Sequence, residues 1–107
     1  MLLVLEKNGC LLHVFDSVDA AHRDLETIDI ENHEYDFCDD SGQPYIGEVI
    51  KTPGFFGRYD FHIVPHGSPD PDLPLSFVSR AEQLEVNKAT PFKTLDDARA
   101  YFSRAQT

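Results

Sequence analysis

Residues 16–40 read DSVDAAHRDLETIDIENHEYDFCDD, and the fold turns on how this stretch divides. Val18, Ala21, Leu25 and Ile28 recur at intervals of three and four, the spacing of one helix face. Ser17 stands where an N-cap belongs, with Asp16 and Asp19 near the positive end of the helix it would open. From Glu34 to Cys38 the period changes to two, with Tyr35 and Phe37 on one face and Glu34 and Asp36 on the other. The stretch predicts a helix leading into a strand, with Asn32 turning the chain between them by side-chain hydrogen bonding or an αL backbone. It also carries ten acids, Asp16, Asp19, Asp24, Glu26, Asp29, Glu31, Glu34, Asp36, Asp39 and Asp40, against one base, Arg23. Such a segment is acidic outside and apolar inside.

Upstream, Leu2–Leu5 and Leu11–Phe15 are apolar runs of strand length. Between them Asn8-Gly9 suits a type I′ turn, which needs positive φ twice, so the chain is expected to open with a β-hairpin. Both runs are apolar at successive positions, the pattern of central strands covered on at least part of each side. His13 shares a face with Leu11 and Phe15 and reads as a hydrogen-bonded histidine at the core margin. The two cysteines, Cys10 and Cys38, are too few for a disulfide scaffold and too far apart for a metal knuckle, and they read as small buried residues. Following an inward Phe37, Cys38 is expected to face outward or to sit at a strand end.

Downstream, Asp39-Asp40-Ser41-Gly42 is a turn by composition, and Tyr45–Ile50 is the returning strand. Thr52–Arg58 places Phe55 and Phe56 among two glycines and a proline, a loop that either closes one end of the core or presents aromatic surface. Tyr59–Pro65 alternates, with Tyr59, Phe61 and Ile63 inward and Asp60, His62 and Val64 outward. The prolines at 65, 69, 71 and 74 make His66–Pro74 a stiff loop. Ser79 with Glu82 resembles a capping box and favours a short helix through Leu84, although a strand over Leu84–Val86 also fits. Thr94 caps a last helix whose stripe is Leu95, Ala98, Phe102 and Ala105, with Asp96 and Asp97 at its start and Arg99 and Arg104 further along.

The chain has 107 residues, 41% of them hydrophobic and 26% charged, which suits one domain spanning 1–107 with its own core. Residues 1–50 hold twelve acids and two bases, and residues 51–107 hold seven of each, so the whole net charge of −10 falls in the first half. That surface repels nucleic-acid phosphates and anionic lipid and attracts basic proteins or cations. The apolar start, Met1–Leu5, meets Glu6 and Lys7 before a signal or membrane segment could be completed, and a cytoplasmic protein is expected.

Motifs for catalysis are absent from the sequence. Gly42, Gly47, Gly54 and Gly57 are not spaced to cradle a phosphate, and no nucleophile elbow occurs. Asp36, Asp39 and Asp40 before Gly42 lack the alternate spacing and closing glutamate of a calcium loop. A Cys-His nucleophile would need a contact that the sequence does not display. No cofactor and no metal ligand set is expected.

Around LETIDIENHEY, residues 25–35, followed by Asp39 or Asp40 and Gly42, the chain resembles a group of small, acidic, largely uncharacterised bacterial proteins. Comparable small acidic proteins include toxin-immunity proteins. The likeness spans Leu2–Tyr45. It implies an α+β domain without catalysis, whose acidic face would occupy a basic groove of a toxin such as a nuclease.

The resulting expectation is an α+β fold: a mainly antiparallel sheet of about five strands, in the order β-β-α-β-β-β-α, with two helices packed on it. The function expected is non-enzymatic binding, as an immunity or inhibitor protein that neutralises a basic protein partner. Asp19, Asp24, Glu26, Asp29, Glu31 and Glu34 would form the acidic surface and Phe55 and Phe56 an apolar anchor. Two alternatives stand beside it. One is a small-molecule or metal site, or an enzyme, using Asp36, Asp60, His62 and His66; the other is a homodimer joined through an open sheet face.

Overall fold

A computed structural model describes residues 1–25, 27–51, 59–86 and 91–105. The fold is α+β. Its strands are β1 (Leu2–Glu6), β2 (Leu11–Phe15), β3 (Tyr35–Asp39), β4 (Pro44–Lys51), β5 (Tyr59–Pro65) and β6 (Gln83–Val86). Its helices are α1 (Val18–Asp24), α2 (Thr27–Glu31), α3 (Leu73–Arg80) and α4 (Leu95–Ala105). The strands form one sheet in the order β5-β4-β3-β1-β2-β6, antiparallel at every pairing except the parallel β2–β6 edge.

The doubly apolar pattern of the first two strands is explained by helices on both faces. Leu3, Leu5, Leu12, Val14 and Cys38 face α3 and α4, meeting Phe77, Val78, Ala98 and Phe102. Leu2, Val4, Phe15 and Phe37 face the other way, onto Ala20 and Ala21 of α1 and Ile30 of α2. Leu3 and Leu12 are wholly buried, and truncating such a side chain to alanine costs about 2–5 kcal/mol. With a covered layer on each side, a residue that points away from one core points into the other. Cys38 is therefore buried, not outward.

Several local expectations are corrected. The first hairpin closes through four residues, Lys7–Cys10, and the left-handed backbone is at Cys10 (φ 54°), not at Asn8-Gly9. Ser17 does cap α1, accepting the Ala20 N–H at 3.1 Å, but the helix stops where Leu25 turns extended, and α2 follows as a separate short helix. At the end of α2 the left-handed position is His33 (φ 56°), not Asn32. There the N–H groups of His33 and Glu34 donate to the carbonyls of Ile30 and Asp29, closing the helix in the Schellman manner. Pro74 lies in the first turn of α3, where a missing N–H costs nothing. Ser79 sits in the last turn of that helix, and the segment after it is β6. Thr94 caps α4 as expected, its Oγ1 accepting the Asp97 N–H at 3.1 Å.

One departure from a regular sheet positions the candidate sites. β4 pairs with β5 over seven residues of each strand, Tyr45↔Pro65 to Lys51↔Tyr59, but with β3 only at Phe37↔Tyr45 and Cys38↔Pro44. Beyond that point β3 and β4 fork.

Candidate functional site

The acids of the first half do not form one patch. The structure gathers Asp24, Asp29 and Glu34 near the end of the sheet where β1 and β3 meet, and adds two carboxylates from strands, Glu6 and Glu85. The register explains the meeting: Glu6 pairs with Tyr35 across β1–β3, and His13 pairs with Glu85 across β2–β6. His13 Nε2 lies 3.1 Å from Glu6 Oε2, and its Nδ1 lies 3.5 Å from Glu85 Oε2. The Tyr35 hydroxyl donates to Asp29 Oδ2 at 3.2 Å. A hollow of about 410 Å³ opens here, lined by His13, Val14, Phe15, Asp24, Leu25, Tyr35, Glu85 and Val86.

The electrostatics of this margin are unfavourable to its own charges. Glu34 shares a hydrogen bond with Asp29, and that bond, then partial burial and the charges of Asp29 and Glu6, hold its carboxyl above the ordinary glutamate value. Burial, followed by the Asp29 carboxylate, pushes the Tyr35 phenol well above its usual range. For both groups the surrounding negative charge adds to the leading cause, the Asp29 hydrogen bond for Glu34 and burial for Tyr35.

The other expected acidic residues lie elsewhere. Asp19 lines a separate hollow with His22, Asp60 and His62; there His22 Nε2 is 3.0 Å from Asp60 Oδ1, and the Phe61 N–H, then His22, hold the Asp60 carboxyl below its ordinary value. Glu31 is exposed on α2. Glu26, Phe55 and Phe56 lie outside the described residues. No local signal joins Glu6 and Glu85 to the acidic set, since they stand far apart in the chain and only the strand register brings them together.

The histidine and aspartate group is divided between two places. Asp36 and His66 line a cleft at the β3–β4 fork, whereas Asp60 and His62 line the hollow beside α1. Among the described residues no three His, Cys, Asp or Glu side chains gather to hold a metal ion. Cys38 offers no nucleophile: burial, and then the nearby Asp39, push its thiol far above the ordinary range, against a smaller opposing effect of Arg80.

The fork cleft has a volume of about 400 Å³. Ile30, Phe37, Pro44, Tyr45, Ile46, Leu73 and Phe77 supply apolar wall, and Lys7, Asp36 and Arg80 stand among them as charged groups. Lys7 Nζ lies 3.4 Å from Asp36 Oδ1, and Arg80 Nη1 lies 3.4 Å from Asp36 Oδ2.

Comparison of the chain with protein-family models, with curated proteins and with solved structures gave no match in any of the three. Among the described residues no helix is long and apolar enough to cross a membrane.

Proposed function

We propose that this chain is a non-enzymatic protein-binding domain that receives a basic partner on the acidic margin built by Glu6, Asp24, Asp29, Glu34 and Glu85. The observation that carries the reading is the convergence of Glu6, Asp29 and Glu34 at Tyr35, which pairs with Glu6 across β1–β3 and donates its hydroxyl to Asp29, with Asp29 and Glu6 both raising the Glu34 carboxyl above its ordinary value. Like charges crowded in this way oppose folding, and an arginine or lysine from a partner relieves the repulsion when it enters. The adjacent hollow supports the same reading, because Asp24 and Glu85 stand at its wall. Partner neutralisation of the immunity type is one role such a surface serves.

The test is affinity capture of basic proteins at low and high salt by the wild-type chain and by a variant carrying Asp24→Lys, Glu34→Lys and Glu85→Lys. The wild type should retain a basic protein at low salt, release it at high salt, and the variant should not retain it although its melting temperature stays close to that of the wild type. Equal retention by both proteins would sink the reading.

A further inference from the structure

We propose that the cleft at the β3–β4 fork binds an organic carboxylate with an apolar body, at a site that, among the described residues, shares only the Tyr35 wall with the acidic hollow. The charge arrangement selects the head group. Lys7 and Arg80 both lean on the one carboxylate of Asp36, each at 3.4 Å and each with its side chain about half exposed, at 48% and 49%. Two cations against one anion leave a formal charge of +1 at this mouth, on a chain whose net charge is −10. Lys7 is moreover one of only two bases in residues 1–50. A ligand carboxylate that settles between Lys7 and Arg80, beside Asp36, supplies the second anion that this pair of cations can hold. A single negative charge fits this surplus, whereas a doubly charged phosphate would also meet Asp36 and the field of the acidic half.

The walls select the body. Arg80 lies over the Phe77 ring, 5.1 Å from its centroid, which fixes the guanidinium at the cleft rim. Phe77 and Leu73 of α3 and Pro44 and Ile46 of β4 line the same opening. The fork supplies the room: β3 and β4 cease to pair after Phe37↔Tyr45, and Asp36 and Ile46, the next residues along, line the gap. A volume of about 400 Å³ falls in the range of small-molecule sites, which combine apolar lining with a few polar groups that fix orientation.

The experiment is an amide-resolved NMR titration with three probes of one shape and different charge: 4-phenylbutyrate, 4-phenylbutanamide and 4-phenylbutylamine. The carboxylate should give saturable shifts centred on Lys7, Asp36, Ile46, Phe77 and Arg80, the amide should bind about tenfold more weakly, and the amine should not bind. Arg80→Met, which keeps the stem and removes the charge from an exposed position, should weaken the carboxylate about tenfold. Asp36→Asn, which removes the internal competitor, should tighten it. The outcomes that overturn the proposal are equal binding of all three probes, shifts centred elsewhere, no saturable shift by the carboxylate up to about 10 mM, or unchanged affinity in both variants.

Discussion

A Cβ atom placed on Gly47 would come within 2.6 Å of Cγ2 of Ile30. The bare backbone of β4 is thus the surface on which α2 seats Ile30, which is 3% exposed. This contact holds β4 on the α2 side of the sheet at the position where it has stopped pairing with β3, so the same glycine that admits the helix also helps to keep the fork open. Gly47→Ala should cost about 1–3 kcal/mol by overpacking, and Ile30→Ala about 2–5 kcal/mol by loss of a buried side chain. In the double variant the cost of the added methyl should largely disappear, giving a clear coupling energy in a urea-denaturation cycle. Strict additivity would mean that the two residues do not press on one another.

Two turns give a second prediction, from backbone sign rather than packing. A Cβ placed on Gly9 would meet no atom within 4 Å, and the residue does not take a positive φ. Gly9→Ala should therefore be neutral or should stabilise by about 0.4–1 kcal/mol through the unfolded chain. A type I′ turn at Asn8-Gly9 would give the opposite sign. His33, a non-glycine residue in the left-handed region that closes α2, should gain up to about 1 kcal/mol on replacement by glycine. Melting temperatures of the two single variants test both signs at once.

What the sequence discloses and what it withholds differ by the range of the interactions involved. β1, β2, β5 and α4 were legible because their patterns are local: apolar runs, an alternation, and Thr94 three residues before Asp97. β6 is legible only as the alternative strand over Leu84–Val86, since Gln83–Val86 offers only two apolar side chains and acquires its identity from parallel pairing to β2, far away in the chain. α3 was hidden by its prolines, which read as loop although Pro74 occupies a first-turn position that tolerates it. With α3 unread, nothing is at hand to cover Cys38 on the face opposite Phe37, so the strand alternation conflicts with reading Cys38 as a small buried residue, and burial is what the structure shows. The acidic margin was half legible. Asp24, Asp29 and Glu34 belong to the acid-rich stretch, but Glu6 and Glu85 reach it through two strand registers, and Asp19 leaves it for the β5 edge.

Burial of Cys38 leads to a third prediction. Its side chain has no exposed surface and packs in the core facing α3, and the same burial disfavours the thiolate that alkylating reagents need. A pulse of N-ethylmaleimide on the folded protein should modify Cys10, which is half-buried in the hairpin loop, well before Cys38. Labelling of Cys38 should accelerate with urea in step with unfolding. Mass spectrometry of the two cysteine peptides separates them, and comparable rates in native buffer would place Cys38 at the surface.

The last prediction concerns two carboxylates whose pH dependences run in opposite directions. Asp39 anchors the β3–β4 turn: its Oδ1 accepts from the Ser41 N–H at 3.0 Å, the Ser41 hydroxyl at 2.6 Å and the Gln43 N–H at 2.9 Å, and its Oδ2 accepts from the Tyr45 hydroxyl at 3.3 Å. Burial by itself would raise this carboxyl, but those donors outweigh it and hold the group below its ordinary value of 3.8. A depressed acid contributes stability that is present above the unfolded value and is lost as pH falls through the folded one. Asp39→Ala should cost about 1–3 kcal/mol at neutral pH, toward the lower end because the turn is partly open to water, and the difference from wild type should shrink below pH 3.8. Glu34 behaves oppositely, because a carboxyl raised above its ordinary value of 4.5 lowers stability while it is ionised and relieves the repulsion on protonation. Glu34→Gln should therefore be more stable than wild type at neutral pH, with an advantage that fades as pH falls toward 4.5. Urea denaturation of the three proteins from pH 7 to about 3 measures both slopes. Parallel curves for Glu34→Gln and wild type would show that the Glu34 carboxyl is not held above its ordinary value by its acidic neighbours, and the acidic margin as a receptor for a basic partner would lose that support.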